Sequence, residues 1–319
     1  MYLLVFLSGT FIVFFNVIFP YFYTFTAWNY SLAVISCMLF FANVTLFMIL
    51  LVFYFFLPSD VIDSVFATGW AIIKNLNHSA ITKVESNIRE TFPIHILHPI
   101  PDRSIRIWHP HGTGATTIGI HNVYRITDPG NTPTKIVVHY LFTIFPVIRD
   151  MVRYMGCISS DYGSIVDALK NNSVTVGLGG AEEMGKVTEK TLELVIKKRK
   201  GIFKIALETG TPIVPVLTYG ENEIFPETDN EFLLEMNQLV YEYTRIRLSL
   251  PNLVSVRNWA NLLVKPLDPI HTYTGRPIYV KKIDKPTDRH IRILRNIYIK
   301  RIRELFAETN PGEFSLTVV

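Results

Sequence analysis

Residues 1–59 contain no charged side chain; the first is Asp60. A stretch of that length without charge cannot form the surface of an ordinary water-soluble domain. Within it, residues 2–23 make one apolar run and residues 32–57 a second. A membrane-spanning helix needs about 20 apolar residues, so each run suffices for one span. Residues 24–31, with Trp28, Asn29 and Tyr30, suit an interfacial turn, because aromatic side chains favour that depth. Pro20 kinks or ends the first helix and Pro58 ends the second. A cleaved signal peptide would carry a basic leading segment and would not be followed at once by another hydrophobic run. The expectation is a transmembrane hairpin over residues 1–59 with both ends on one side of the bilayer, and a single domain over 60–319. The Lys and Arg residues of that domain mark its side as cytosolic. A re-entrant hairpin that never crosses is the alternative. The mean hydropathy of +0.27 belongs with membrane segments rather than a soluble chain.

The remainder alternates between two periodicities. Residues 104–108 read as a strand and 113–124 as a helix. Strands are also expected at 135–139, 173–178, 191–196 and 213–217, with edge strands at 259–264 and 277–280. Helices are expected at 145–155, at 162–170 behind an Asp161 cap, at 202–209 ending on Gly210, at 230–244, and from Thr287 to about 306. Residues 310–319 read as a tail. Strands alternating with helices predict an α/β fold whose site lies at strand ends. The formal net charge of +4 does not suggest nucleic acid. Cys37 and Cys157, one inside an apolar run and the other far along the chain, give no disulfide and no Cys/His metal spacing.

The chemistry gathers at strand ends. Trp108-His109-Pro110-His111-Gly112 closes the first strand and turns into a helix. Pro110 restrains the backbone on both sides of itself, and Gly112 lets backbone approach a ligand closely. A histidine held there can serve as a general base at neutral pH. The helix start behind it offers N–H groups to a developing negative charge. Leu178-Gly179-Gly180-Ala181-Glu182-Glu183 ends another strand, where either carboxylate could orient a histidine. No Gly-Lys-Ser/Thr follows those glycines, so they are not a phosphate loop. The basic run Lys197-Lys198-Arg199-Lys200 could meet an anionic cofactor, membrane headgroups or only water. Glu221 and Glu223 end a further strand, where a catalytic role and a loop-bracing role are equally open.

These motifs together resemble the signatures of the type-2 diacylglycerol acyltransferase family, which includes monoacylglycerol and wax-ester synthesising relatives. His109-Pro110-His111-Gly112 looks like its histidine signature, and Gly179-Gly180-Ala181-Glu182-Glu183 like its Gly-Gly-Ala-x-Glu segment. Arg199-Lys200-Gly201-Ile202-Phe203-Lys204, then Val214-Pro215-Val216 and Gly220-Glu221-Asn222-Glu223, resemble its longest signature. Pro146 with Arg149, and Gly275-Arg276-Pro277-Ile278, follow the same order. The chain departs from the pattern at Thr91, usually tyrosine, and Ile202, usually phenylalanine, positions that bear on acceptor choice rather than on the chemistry.

The resemblance implies a glycerolipid-acyltransferase-like mixed sheet flanked by helices. It implies acyl-CoA-dependent O-acylation of diacylglycerol to triacylglycerol at endoplasmic reticulum or lipid-droplet membranes, without a metal or redox cofactor. Monoacylglycerol, a long-chain alcohol or a lysophospholipid are the alternative acceptors. Expected partners are acyl-CoA, a neutral-lipid acceptor and the membrane, with a homo-oligomer left open. By the same resemblance His111 is the base, Glu183 its orienting partner with Glu182 the second choice, and His109 shapes the turn or assists. Backbone N–H groups near Gly112 and Gly114 would serve the oxyanion, and Arg149, Arg199 and Lys200 the CoA phosphates. A serine hydrolase would need a nucleophile elbow, which the chain lacks. A catalytically inactive lipid-binding protein is the alternative from outside enzymology.

Overall fold

The structure is a computed structural model that describes residues 61, 64, 68 and 78–319, except 113, 125–133, 145 and 187–189. The chain falls into two compact units, 1–78 and 79–319. The expected hairpin over 1–59 lies outside the described residues. Among the described residues no helix is long and apolar enough to cross a membrane.

A mixed seven-stranded sheet organises the second unit. In chain order its strands are β1 (Ile94–Ile96), β2 (Ile105–His109), β3 (Thr134–Val138), β4 (Cys157–Ser159), β5 (Ser173–Gly177), β7 (Ile213–Thr218) and β8 (Thr272–Thr274). The spatial order is β1-β8-β7-β2-β5-β3-β4. From β7 across to β4 every pairing is parallel, and β8 joins β7 antiparallel. The middle strands β2, β5 and β7 therefore all end on the same side, in the register Trp108↔Gly177 and His109↔Leu217.

Both faces of this sheet are covered, which explains its near-continuous apolar strands. Successive residues of a strand point to opposite faces. Ile105 and Ile107 of β2, with Ile213 and Leu217 of β7, enter the larger core cluster beneath helices Gly201–Thr209 and Asp288–Thr309. Trp108, Val214 and Val216 pack on the other face with Ile118 and Ile136. All five residues of β2 are buried, including Arg106, which simple alternation would have sent to water. By the same parity His109 continues the Ile105–Ile107 row and turns its ring toward the long C-terminal helix.

Most sequence-based elements fall where the patterns put them. Asp161 caps helix Tyr162–Ala168 through the N–H of Ser164, Gly210 ends helix Gly201–Thr209 at φ 65°, and Asn230 caps helix Glu231–Thr244. Thr287 opens helix Asp288–Thr309, whose buried stripe is Ile291, Leu294, Tyr298, Ile302 and Leu305. Ile297, at the same helical spacing, is 43% exposed.

Four expectations need correction. Residues 259–264 are not an edge strand; they mostly fall in helix Leu253–Leu262, which Asn252 caps by accepting from the Ser255 N–H. A polar cap with apolar spacing outranked the β-branched end of the segment. Residues 277–280 contribute only a single bridge, Ile213 to Ile278, because Pro277 interrupts any ladder. The strand expected at 191–196 is β6 (Thr191–Leu194), but it lies outside the main sheet. The expected tail supplies β9 (Ser315–Val318), which pairs parallel with β6.

That two-stranded sheet is locked by Leu194, which is fully buried, and by Val319, whose N–H donates to Leu194 and whose carbonyl accepts from Ile196 and Lys197. Truncating a fully buried leucine costs about 2–5 kcal/mol. Leu194→Ala should therefore lower unfolding stability by about that amount in a urea titration. A loss well under ~1 kcal/mol would show that this small sheet is not part of the core.

Candidate active site

Three segments leave the ends of adjacent parallel strands and converge. His109 is the last residue of β2, and Pro110, His111 and Gly112 follow it. Gly179–Glu183 follows β5, with Glu182 and Glu183 in the short helix Gly180–Met184. Gly220 and Glu221 follow β7. The His109–Pro110 peptide bond is cis.

Glu183 is the hub. It is fully buried, and its carboxylate lies 3.0 and 3.2 Å from His109 Nδ1. The same carboxylate accepts the backbone N–H of His111 at 2.7 Å and that of Val195 at 2.9 Å. Burial by itself raises a carboxyl pKa; His109 and the two backbone donors outweigh it and hold Glu183 below its ordinary value. The absence of a Cβ at Gly179 makes room for this side chain. His109 is likewise fully buried, with its ring centroid 6.1 Å from that of Tyr298.

The expected pairing of Glu183 with the His111 ring is corrected by this geometry. Glu183 takes the ring of His109 and only the main chain of His111. The parity of β2 explains the exchange, since it turns His109 toward the buried carboxylate. Glu182, the second choice, faces outward and pairs with Lys198 at 3.0 Å and Arg199 at 3.5 Å.

His111 is half-buried. Its ring lies against the end of β5, where a Cβ on Gly177 would meet Cδ2 at 2.8 Å. Its Nδ1 is 3.2 Å from the Gly112 carbonyl, which can only accept. Nδ1 therefore carries the proton and Nε2 keeps its lone pair. Burial pulls the His111 pKa below the usual histidine value, against the opposing pull of the Gly112 bond and the Glu183 charge.

Glu221 braces the other side. It is buried, and its carboxylate accepts the N–H groups of Thr116 and Thr117 at 3.1 and 3.2 Å and the Thr117 hydroxyl at 2.5 Å. Desolvation raises its pKa, partly offset by those donors. At helix Thr116–Gly119 this carboxylate already occupies two of the N–H groups. Of the two readings left open for Glu221, the structure supports the loop-bracing one. Gly112, at φ +66°, is pressed against the Glu221 carboxylate.

Each of the three expected cofactor-binding cations has a partner within the chain. Arg149 lies 2.9 Å from Asp150, Arg199 donates to the Gly179 carbonyl at 2.6 Å, and Lys200 lies 3.1 Å from Asp288. Gly114 is exposed next to the histidine loop, against Ser249 Oγ. Sequence reasoning missed Gly177 and Tyr298 as walls of the site. Gly177 carried a usable signal, a glycine closing a strand otherwise rich in β-branched residues. Tyr298 carried none, being one more apolar position on a helix stripe. Among the described residues no group of three His, Cys, Asp or Glu side chains could hold a metal ion.

An alanine at residue 112 would need a left-handed φ, at about 1–2 kcal/mol, and its methyl group would run into the Glu221 carboxylate. A shift of about 1 Å in such a loop can cost 10²-fold in rate. Gly112→Ala should lower turnover by about that factor or more, measured per mole of folded protein. Unchanged turnover would refute the close packing of the loop on Glu221.

Set beside known proteins, the chain matches the model of the diacylglycerol acyltransferase family over residues 37–315. It is 30% identical over 246 residues to 2-acylglycerol O-acyltransferase 1 of Bos taurus, an alignment covering 72% of each chain. It is 29% identical over 233 residues to diacylglycerol O-acyltransferase 2 of Dictyostelium discoideum, covering 68% of this chain and 70% of the relative. The crystal structure of the 1-acyl-sn-glycerophosphate acyltransferase PlsC of Thermotoga maritima aligns at 13% identity with a TM-score of 0.42, covering 82% of this chain and 97% of that one.

Proposed function

Since this chain belongs to the diacylglycerol acyltransferase family and is an acyltransferase, we propose that it transfers an acyl group from acyl-CoA to the free hydroxyl of diacylglycerol, with His111 as general base. The observation that carries the assignment of the base is the contrast between the two histidines. His109 is fully buried and spends Nδ1 on Glu183, whereas His111 is half-buried and keeps the Nε2 lone pair.

In this reading the acceptor oxygen attacks the thioester carbonyl carbon while His111 Nε2 takes the hydroxyl proton. The C–O bond forms and the carbonyl oxygen becomes an oxyanion. Collapse breaks the C–S bond, and the imidazolium returns its proton to the departing CoA thiolate. Proton transfer by a positioned base contributes about 10²- to 10⁴-fold, and holding both lipids in one cleft adds proximity. Glu183 acts on the base through the main chain: it fixes the His111 N–H and, through the His109 ring, the turn that carries it. Acyl-CoA is a co-substrate, and the reaction needs no resident cofactor. The place of action in this reading is the endoplasmic reticulum membrane or a lipid droplet, with the domain facing the cytosol.

Monoacylglycerol is the second reading for the acceptor. It is favoured by the similarity to the bovine relative, named for acylation of 2-acylglycerol.

The test feeds membranes containing the protein labelled oleoyl-CoA, with diacylglycerol and monoacylglycerol in parallel. Label in triacylglycerol, lost in His111→Ala, is the expected result; label only in diacylglycerol would transfer the assignment to the second reading. The base acts only when neutral, and burial holds its pKa below the usual histidine value. The acid limb of kcat/KM should therefore lie to the acid side of that of an unperturbed imidazole. A limb to the alkaline side of it, or turnover retained in His111→Ala, would remove His111 as the base.

A further inference from the structure

After helix Glu231–Thr244 the chain runs from Arg245 to Ser249 beside the segments that follow β5 and β2. A Cβ on Gly185 would meet the Arg247 guanidinium at 2.6 Å, and one on Gly114 would meet Ser249 Oγ at 3.2 Å. The segment thus leads from two residues beyond Glu183 to three residues beyond His111.

Two guanidinium groups crowd one aromatic ring there. The guanidinium carbons of Arg245 and Arg247 lie 5.7 and 5.6 Å from the Tyr241 ring centroid. Among the described residues neither arginine forms an ion pair. Arg247 donates to the neutral Gln238 side chain at 2.7 Å. Glu227, which feels the Arg247 charge, accepts instead from Asn237 at 3.3 Å. Arg245 also sits at φ +61°, a backbone region that non-glycine residues seldom occupy. Two like charges on one ring, with Glu227 acting on Arg247 only from beyond ion-pair distance, present a positive potential that attracts an anion. Planar guanidinium forks match phosphate oxygens bidentately.

We propose that Arg245 and Arg247 bind the phosphate groups of the acyl-CoA donor, with Tyr241 spreading the two guanidinium groups. This rests on the acyl-CoA reading above. Unlike Arg149, Arg199 and Lys200, which face Asp150, Glu182 and Asp288, these two arginines form no ion pair among the described residues. CoA carries its phosphates at the far end of a long pantetheine arm from the thioester. A phosphate subsite therefore belongs on the same end of the sheet as His111, and this segment touches the chain beyond both Glu183 and His111 there.

The experiment compares the full-length chain with Arg245→Gly, Arg247→Gln and the pair. Glycine accepts the left-handed φ of residue 245, so the first variant removes the charge without straining the backbone. Steady-state kinetics are measured with oleoyl-CoA and with S-oleoyl-pantetheine, which has the thioester but no phosphate. The expected result is a KM for oleoyl-CoA raised about 10-fold in each variant, corresponding to ~1.4 kcal/mol, with kcat kept. The KM for S-oleoyl-pantetheine should not change. An equal penalty on both donors, or none on oleoyl-CoA, would overturn the proposal.

Equilibrium binding of free CoA gives a readout that does not depend on ester formation. Arg-dependent CoA binding by a chain that makes no ester would uphold the subsite and sink the acyltransfer reading. Unchanged CoA binding in the variants, with lost binding to phosphatidic acid vesicles, would assign the arginines to lipid headgroups and overturn the proposal.

Discussion

The site depends on one buried carboxylate. Glu183 gathers an imidazole from the end of β2, the backbone of the following turn and a backbone N–H from the segment after β6. Taking a carboxylate out of water costs several kcal/mol unless donors replace the water. Here three donors do so, which makes the carboxylate an anchor rather than a reagent. Removing any one donor leaves part of a buried charge uncompensated, so the three segments are held to a single arrangement. The glycine at 179 follows from this: the carboxylate folds back onto Gly179, where a side chain would displace it, whereas Gly180 has open space and takes a left-handed φ of +56°.

Glu221 repeats the device on the opposite side. It caps the helix that follows the histidine loop and presses on Gly112. The loop bearing His111 is thus clamped between two buried carboxylates, one from the end of β5 and one from the end of β7. The parallel packing of β5, β2 and β7 makes this possible, since only neighbouring parallel strands deliver three loops to one edge. The two carboxylates differ in protonation tendency for a physical reason. Glu183 faces an ionisable imidazole and two N–H groups, which overcome its desolvation; Glu221 faces only neutral donors, and desolvation prevails.

Periodicity and caps made most of the fold legible: the three middle strands, the Asp161 and Thr287 caps and the Gly210 terminus all stand in the sequence. What stayed hidden were pairings set by tertiary context. The short strands β1, β4 and β8 have three residues each, too few to show a period. The pairing of β9 with β6 joins segments more than a hundred residues apart and could not be read from either one. In the site, motif order identified the histidines and Glu183, but not which ring the carboxylate would take. That choice follows from the two-residue parity of β2, which sends His109 and His111 in directions that the proline turn then separates.

The charges teach the same lesson about neighbours. Lys197-Lys198-Arg199-Lys200 is the densest basic run near the motifs, yet Lys198 and Arg199 meet Glu182, and Lys200 meets Asp288. Local charge density in a sequence measures how much charge is present, not how much is uncompensated. Arg245 and Arg247, only two cations in an ordinary-looking stretch, share an aromatic ring and form no ion pair among the described residues. A polyanion is attracted by the field left after pairing, because a cation already facing a carboxylate offers little further gain when that carboxylate must be displaced or repelled. By that measure the proposed arginine pair offers a phosphate more than the longer, internally paired basic run does.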